Sequence, residues 1–363
     1  MASHPTKPVT IALEGGGSLG AFAWGALDRL LDEPDLRIAA ASGASAGAMN
    51  AAMLVQGLAT GGPEGAKQML ERFWRRVALA SGSPDLPGVD WFGTFSGLIA
   101  PMVGALRQHS HYHPPVNPFG INPLRGVLDD LLDPTVFGSK GAPMLVVSAT
   151  RVRTGEPRLF RDAEVTTDVL LASACLPELF PTVEIDGEPY WDGGYASNPP
   201  LRMLIEAGVP KDLIIVRATP VERPDAPSGA AGIHHRVAEI AFGGPLRQEL
   251  RNLAVAQRLL GELPEVPGVL GRLRDARLHM IGAEEEFRAL GDNHPDPTWR
   301  FLSKMHDVGV AATDTWLVEN RDAIGKRSSL DLSALAQPGG DLGTGEPAKR
   351  RALGPLAPSS AVL

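Results

Sequence analysis

The stretch that decides the fold is PVTIALEGGGSLGAFAWGALDRLLDEPDLRIAAASGASAG, residues 8–47. Its first seven residues are mostly apolar and partly β-branched, which predicts a buried strand. A run of glycines ends that strand, and residues 18–31 carry apolar side chains at helical spacing. Residues 36–42 predict a second strand, and a helix follows from residue 44. Strand, helix, strand and helix in this order favour a layered α/β sheet with parallel strands.

The alternation of strands and helices continues beyond this stretch. Residues 144–149 and 213–219 predict buried strands, and residues 299–320 predict a long helix. The dipeptide Asp186-Gly187 stands between two short apolar runs, which predicts a β-hairpin. We therefore predict an α/β fold of three layers, an α/β/α sandwich with a central, mostly parallel sheet.

Composition divides the chain into three predicted parts. Residues 8–220 are expected to form the core, interrupted at 81–123 by an irregular excursion rich in glycine, proline, histidine and aromatic residues. Residues 221–327 are expected to form a helical C-terminal extension packed on that core. Glycine, proline, alanine and serine dominate residues 328–363, which predicts a flexible tail.

Composition also excludes several classes of protein. The chain has 363 residues and a formal charge of −8, an acidic balance that argues against a nucleic-acid partner. A hydrophobic content of 44% argues against a disordered chain. The one cysteine, Cys175, allows neither an internal disulfide nor a cysteine-rich zinc site. Neither a signal peptide nor a membrane-spanning stretch is visible, so we expect a cytoplasmic protein.

The first motif is EGGGSLG, residues 14–20, between the first strand and the first helix. Glycines there allow backbone N–H groups to approach an anion, and the helix N-terminus adds a positive dipole. Gly15, Gly17 and Gly20 match the dinucleotide-binding fingerprint, but the same turn suits an oxyanion hole for acyl transfer or a plain tight turn. The dinucleotide interpretation needs an acidic residue at the end of the second strand. The nearest acidic residues lie before that strand, so this interpretation is weakened.

The second motif follows the second strand and has the form GxSxG, with Gly43, Ser45 and Gly47. A strand, a sharp turn and a helix are the context in which this motif presents a nucleophile. Small flanking residues permit the turn, and the N-terminus of the following helix favours negative charge near the hydroxyl. The pattern predicts that Ser45 is a nucleophile.

A nucleophilic serine needs a group that accepts its proton. The histidines in the second half of the chain are His234, His235, His279, His294 and His306. None of them stands in a short loop directly after a predicted strand. The third motif, YWDGG at residues 190–194, supplies a carboxyl group instead. Asp192 follows a predicted strand end, and Gly193 and Gly194 make the turn flexible enough to expose it.

The order GGGxxG, GxSxG and DGG resembles the patatin-like phospholipase family of serine lipid acyl hydrolases. The resemblance also includes residues 172–187 and 198–200, and it extends over about residues 8–220. Glu14 departs from it, because many members have aspartate there. The segment after this region, about residues 221–327, is similar to a C-terminal extension of some bacterial members of the family.

The resemblance implies a Ser–Asp dyad in which Ser45 attacks an ester carbonyl and Asp192 accepts its proton. It also implies an oxyanion hole formed by the backbone N–H groups of Gly15, Gly16 and Gly17. Five further glycines support the three turns: Gly20, Gly43, Gly47, Gly193 and Gly194. No metal and no organic cofactor are implied. The expected partner is a lipid or other ester substrate.

Several alternatives stay open from the sequence. The substrate is a phospholipid, an acylglycerol or another ester such as a storage polyester. The alternative to an enzyme is a non-catalytic lipid-binding or regulatory module on the same fold. The pattern HxHxH at 109–113 is weighed as a metal site, but no carboxylate cluster is adjacent. Residues 91–106 are weighed as a lid or a membrane-contacting patch, so any peripheral membrane contact is expected to be local and apolar. The oligomeric state is left open.

Overall fold

The structure, a computed structural model, describes residues 6–82, 122–223, 225–227, 229–290, 297–333 and 335. The strands in these ranges are β1 (Lys7–Leu13), β2 (Leu36–Gly43), β3 (Met144–Arg151), β4 (Pro157–Arg161), β5 (Val183–Ile185), β6 (Glu188–Asp192), β7 (Asp212–Val216) and β8 (Arg277–Ile281). The helices are α1 (Ala21–Leu30), α2 (Ala46–Ala80), α3 (Pro123–Leu131), α4 (Thr167–Ser173), α5 (Leu201–Glu206), α6 (Ala230–Gly261), α7 (Gly268–Asp275), α8 (Glu284–Ala289) and α9 (Trp299–Asn320).

The described strands form one mixed sheet in the order β5-β6-β3-β2-β1-β7-β8, with β4 paired to β3. The pairs among β3, β2, β1, β7 and β8 are parallel, whereas β3–β4, β3–β6 and β5–β6 are antiparallel. The predicted hairpin is confirmed, since Asp186 and Gly187 both have positive φ between β5 and β6.

Helices cover both faces of this sheet. Ile11 of β1 packs in a hydrophobic cluster with residues of α1, α2 and α9, while its neighbour Ala12 packs in a second cluster with residues of α5, α6 and α7. Ile214 and Leu213 of β7 divide between the two clusters in the same way. Such alternation is the consequence of the two-residue period of a strand. The predicted three-layer α/β/α architecture with a mostly parallel sheet is confirmed.

The neighbours of β3 explain how distant parts of the sequence meet. β2 pairs with the first half of β3 and ends where Gly43 faces Val147. β6 pairs with the last three residues of β3, where Ala149 faces Asp192. Because β4 pairs with β3 at residues 146–150, it occupies the opposite edge. β6 therefore continues along the edge that β2 leaves, so the end of β6 comes close to the end of β2.

Two long helices contain a proline, and they differ in shape. The sequence predicts a break between two helices near residues 59–63, and α2 indeed bends there, since Gly62 has φ +65° and precedes Pro63. It also predicts an interruption of α6 at 243–245, which is wrong, because α6 continues through Pro245. An interior proline costs about 3 kcal/mol, and burial of one leucine returns roughly 1.5–3 kcal/mol. Three buried leucines follow in the next turns: Leu246, Leu250 and Leu253.

The part of the chain after residue 220 takes part in the same sheet. β8 pairs with β7, and α9 crosses α1 so closely that a Cβ on Gly309 would lie 2.1 Å from the carbonyl oxygen of Phe22. The division of the chain at residue 220 stays a prediction. Most of the predicted excursion and of the predicted tail lies outside the described residues, as do His109, His111, His113 and the stretch 91–106.

Candidate active site

Ser45 lies on the turn between β2 and α2, as the sequence predicts. Its backbone has φ +54° and ψ −128°, which is uncommon for a residue with a side chain and stores strain. The turn brings the hydroxyl to the N-terminus of α2, where the helix dipole favours negative charge. The residue is 8% exposed. This is the geometry in which a strand-to-helix turn presents a nucleophile.

The glycines on either side of Ser45 are required by close backbone packing. A Cβ on Gly43 would lie 2.2 Å from the carbonyl carbon of Gly47. A Cβ on Gly47 would lie 2.4 Å from the carbonyl oxygen of Leu13 at the end of β1. Both distances are far below any contact between carbon and a backbone atom. The tight backbone packing of this turn therefore requires glycine at both positions of the GxSxG pattern.

The backbone of Ser45 is fixed by a residue to which the sequence assigned no role. The Ser45 N–H donates to both the carbonyl oxygen and the hydroxyl oxygen of Ser173, at 3.1 and 3.0 Å. Ser173 is buried at the end of α4, 128 residues away in the chain. It lies in the stretch 172–177 that carries the family resemblance, which was the signal available in the sequence.

Asp192 ends β6 and is fully buried. Its Oδ1 accepts a hydrogen bond from the Gly194 N–H at 2.8 Å. Its backbone N–H donates to Cys175 O at 2.8 Å, and its carbonyl accepts from the Thr150 hydroxyl at 2.8 Å. The carboxyl group is therefore held rigidly through its backbone and through one of its two oxygens.

The second oxygen of this carboxyl group has no hydrogen-bond partner among the described residues. Among the described residues, Asp192 Oδ2 is buried and accepts no hydrogen bond of ordinary geometry. Burial raises the pKa of Asp192 to about 7, although the Gly194 N–H and the Ser45 hydroxyl lower it, and the charge of Glu178 raises it further. The effect of the Ser45 hydroxyl on this pKa shows that the two predicted catalytic side chains are neighbours.

The glycine turn after β1 lies against Ser45. A Cβ on Gly15 would lie 2.6 Å from the carbonyl oxygen of Ala44 and 2.8 Å from Cβ of Ser45. Gly17 has φ +56° and starts a short 3-10 helix that ends at Gly20. A Cβ on Gly20 would in turn lie 2.6 Å from Cβ of Ala46. The two glycine turns are thus packed directly on each other.

The N–H groups of the three consecutive glycines do not have equal roles. The Gly15 N–H donates to Oδ1 of Asn198 at 2.7 Å and so is not available to an oxyanion. In the described part of the chain, the N–H groups of Gly16 and Gly17 have no acceptor. Of the three predicted donors, Gly16 and Gly17 therefore remain candidates, whereas Gly15 anchors the turn.

Asn198 connects the glycine turn to the opposite layer of the fold. It is fully buried, and its Nδ2 donates to Phe242 O at 3.1 Å and, more weakly, to Gly15 O at 3.4 Å. The sequence shows Asn198 only as part of the family-like stretch, with no partner. Its contact with Gly15 joins residues 183 positions apart, which no local pattern could reveal.

Glu14 holds the glycine turn from the other side. Its carboxylate accepts from the N–H groups of Ala218 and Thr219 at 2.8 and 3.0 Å, and from the Thr219 hydroxyl at 2.8 Å. Burial raises its pKa to about 7, against the opposing effects of Arg217 and these hydrogen bonds. A Cβ on Gly16 would lie 3.3 Å from Cβ of Ala218, so Glu14 secures the segment on which the turn rests.

The glycines of the DGG motif also mark close approaches. A Cβ on Gly193 would lie 2.1 Å from the carbonyl oxygen of Ser148 in β3. A Cβ on Gly194 would lie 2.3 Å from the ring of Phe242 in α6. Cys175, whose carbonyl accepts from the Asp192 N–H, is buried, and burial raises the pKa of its thiol to about 11.

The described residues contain no group of three or more histidine, cysteine, aspartate or glutamate side chains placed to hold a metal ion. None of the helices in the described ranges combines the length and the apolar character needed to cross a membrane. The expected cytoplasmic location stays a prediction.

A serine on a strand-to-helix turn of a layered α/β fold is typical of hydrolases that use serine. The model of the patatin-like phospholipase family matches residues 11–205. That match spans more than half of the chain, so the chain belongs to the patatin-like phospholipase family, as its motifs predict. As a member of this family, the protein is a lipid acyl hydrolase.

Comparisons with solved structures and with curated proteins add less. VipD from Legionella pneumophila is 16% identical, with 89% of this chain and 68% of VipD covered at a TM-score of 0.38. One chain of the ExoU–SpcU complex from the type III secretion system of Pseudomonas aeruginosa is 18% identical to this chain. The match covers 87% of this chain and 53% of the chain in the complex, at a TM-score of 0.34. This chain thus spans about half the length of the second structure. At such scores neither likeness supports an argument, and no curated protein matches.

Proposed function

We propose that this chain hydrolyses carboxylic ester bonds of lipids with Ser45 as nucleophile and Asp192 as the group that accepts its proton. The N–H groups of Gly16 and Gly17 are assigned as the oxyanion donors. The observation that carries the proposal is the buried, unpaired Oδ2 of Asp192, which belongs to a carboxyl group that interacts with the Ser45 hydroxyl.

The first half of the reaction acylates the enzyme. Ser45 Oγ attacks the ester carbonyl carbon while its proton passes to Oδ2 of Asp192. The negative charge that forms on the carbonyl oxygen is stabilised by the N–H groups of Gly16 and Gly17 and by the N-terminus of α2. One such donor lowers the barrier by roughly 3 kcal/mol in known hydrolases. The tetrahedral intermediate collapses as the alcohol leaves with the proton from Asp192, and the acyl group stays on Ser45.

The second half returns the enzyme to its starting state. Water attacks the acyl carbonyl and gives a proton to Asp192. The acid then leaves as Ser45 recovers its proton. A carboxyl group of ordinary pKa would be a weak base for these steps, but burial raises the pKa of Asp192 to about 7. A base is most effective when its pKa lies near the working pH, and this carboxyl group meets that condition without a histidine.

Fluorophosphonate labelling with peptide mapping tests the assignment. We expect the label on Ser45 in the wild-type chain and no label in Asp192→Asn, whose side chain cannot accept the proton. Far-ultraviolet circular dichroism of the variant serves as the folding control. A label on a different serine would contradict the proposal. A panel of phospholipids, acylglycerols, storage polyesters and water-soluble esters then identifies the substrate class.

A further inference from the structure

Exposed apolar side chains are concentrated in one part of this molecule. Among the described residues, nine large hydrophobic side chains are strongly exposed, and eight of them lie between residues 233 and 270. The ninth is Val318, at the end of α9. Clusters of this kind mark contact surfaces, whereas single exposed apolar residues need no explanation.

Three of the eight form a continuous stripe on α6. Ile233, Val237 and Ile240 are spaced at i, i+4 and i+7, which places them on one side of the helix. Their exposed fractions are 51, 60 and 50%. We call these three residues the apolar stripe. A helix in the outer layer of a sandwich normally keeps such residues on its inner side, yet here they face outwards.

The helix that carries the apolar stripe also packs on the candidate active site. Phe242, two residues after Ile240, packs its ring at 4.8 Å from the ring of Tyr195, and a Cβ on Gly194 would collide with it. Two helical residues are about 3 Å apart along the axis but roughly 200° apart around it, so Phe242 lies on the side of α6 opposite the apolar stripe. The carbonyl of Phe242 also accepts from Asn198. One side of α6 thus packs on the turn that carries Asp192, and the opposite side exposes the apolar stripe.

The charges of α6 distinguish it from the rest of the chain. The helix contains four arginines and two glutamates, in a chain whose formal charge is −8. Glu239, which lies between two stripe residues, is paired with Arg223 at 2.6 Å and with Arg236 at 3.0 Å. A neutralised Glu239 and an excess of arginine suit a helix that lies in the interface of a membrane with some anionic lipid.

We propose that the apolar stripe docks the protein on the lipid surface that carries its ester substrate. This inference rests on the proposed function, because a lipid surface is the occupant that an acyl hydrolase must meet beside its nucleophile. Insertion of the three side chains would place α6 in the lipid interface, with the Asp192 turn packed on the other side of this helix, and the arginines of α6 would meet the headgroups. The predicted membrane patch at 91–106 lies outside the described residues, whereas the stripe is fully described.

Vesicle flotation tests the docking surface with a matched control. The stripe variant Val237→Ser removes apolar area from the stripe, where the valine is 60% exposed, and Val318→Ser makes the same change on α9, where the valine is 89% exposed. Both are made in a Ser45→Ala background, so that the vesicles stay intact. The vesicles contain phosphatidylcholine, with or without a minority of phosphatidylserine. We expect the stripe variant to partition about tenfold less strongly and the α9 variant to stay within about twofold of its parent.

The outcomes separate docking from catalysis. Equal flotation of the stripe variant and its parent would overturn the docking surface, even if the wild-type chain hydrolyses lipids. Loss of flotation in the stripe variant, with no hydrolysis by the wild-type chain, would support docking and refute the proposed function. A wild-type dimer that becomes monomeric in the stripe variant, with flotation unchanged, would instead assign the stripe to a second copy of this chain. With Ser45 intact, the stripe variant should retain its rate on a water-soluble ester.

Discussion

Two serines of this chain belong to buried groups that contain a carboxyl side chain, and the two groups differ in composition. Ser45 interacts with Asp192, and no histidine is involved. In the second group, Nδ1 of His279 lies 3.0 Å from the hydroxyl oxygen of Ser329, and Nε2 lies 3.1 Å from Oδ1 of Asp212. A serine, a histidine and an aspartate, with the histidine ring between the other two side chains, have the composition of a hydrolase triad. By composition alone, the second group is the better candidate.

The backbone around each serine reverses that conclusion. Ser45 has a strained positive φ at a helix N-terminus and lies against the turn that holds the unpaired N–H groups of Gly16 and Gly17. Ser329 has no such turn, and its N–H donates to the carbonyl of Leu278 in β8. The second group thus ties the segment after α9 to the sheet. A nucleophile is defined by the donors and the strained turn around it more than by its side-chain partners.

The two carboxyl groups show the same contrast in their hydrogen bonds. Asp192 has one paired oxygen and one unpaired oxygen, and burial raises its pKa to about 7. Burial acts in the same direction on Asp212, but hydrogen bonds from His279, Arg277 and the Gly325 N–H outweigh it and hold its pKa well below the usual range. A fully paired carboxylate stabilises the fold, whereas a partly paired one can accept a proton.

The largest expected difference between the two groups concerns catalysis. Ser45→Ala should reduce the rate of ester hydrolysis by about a thousandfold or more, because it removes the atom that we propose attacks the substrate. Ser329→Ala should leave kcat within about twofold, since it removes only a hydrogen bond to a buried histidine. Initial rates on a soluble ester measure both. Loss of activity in Ser329→Ala with activity kept in Ser45→Ala would transfer the nucleophile to the second group.

Stability should change in opposite directions when each aspartate becomes asparagine. In the folded chain Asp192 keeps its proton up to about pH 7, whereas in the unfolded chain it loses the proton near its ordinary pKa of 3.8. Folding is therefore penalised increasingly as pH rises from 3.8, and the penalty is complete above about 7, at about 4 kcal/mol for a shift of this size. Asp192→Asn should raise the free energy of unfolding at about pH 8 by up to that amount, and the gain should disappear near about pH 4.

Asp212→Asn should change the stability of the fold in the direction opposite to Asp192→Asn. Because the folded pKa of Asp212 is lowered, its stabilisation is present above its ordinary pKa and is lost as pH falls through the folded value. The variant should therefore be less stable than the wild type at about pH 8, with a smaller difference in acid. Urea unfolding at the two pH values measures both variants. A lower stability of Asp192→Asn at the higher pH would show that its carboxyl group is structural, like Asp212.

The candidate residues that the sequence predicts and the structure brings together share one property, which is that their signal is local. Ser45 is predicted by two glycines within two positions, and the structure shows the collisions that require them. Asp192 is predicted by the turn that follows it. Ser173 and Asn198 make hydrogen bonds to partners 128 and 183 residues away, so no short pattern assigns their partners. The reduced role of Gly15 has the same origin, since its acceptor is Asn198.

Asn198 offers a smaller and sharper test of the contrast between the two groups. If the backbone donors distinguish Ser45 from Ser329, a residue that positions those donors must affect the rate without touching substrate. Asn198→Ala leaves the Gly15 N–H without its acceptor, so the neighbouring N–H groups of Gly16 and Gly17 should lose their alignment. We expect kcat to fall about tenfold, which corresponds to about 1.4 kcal/mol, while KM for a soluble ester changes little. Ser329→Ala also removes a buried hydrogen bond and provides the control for a purely structural loss. An equal kcat in the two variants would show that Asn198, like Ser329, only stabilises the fold.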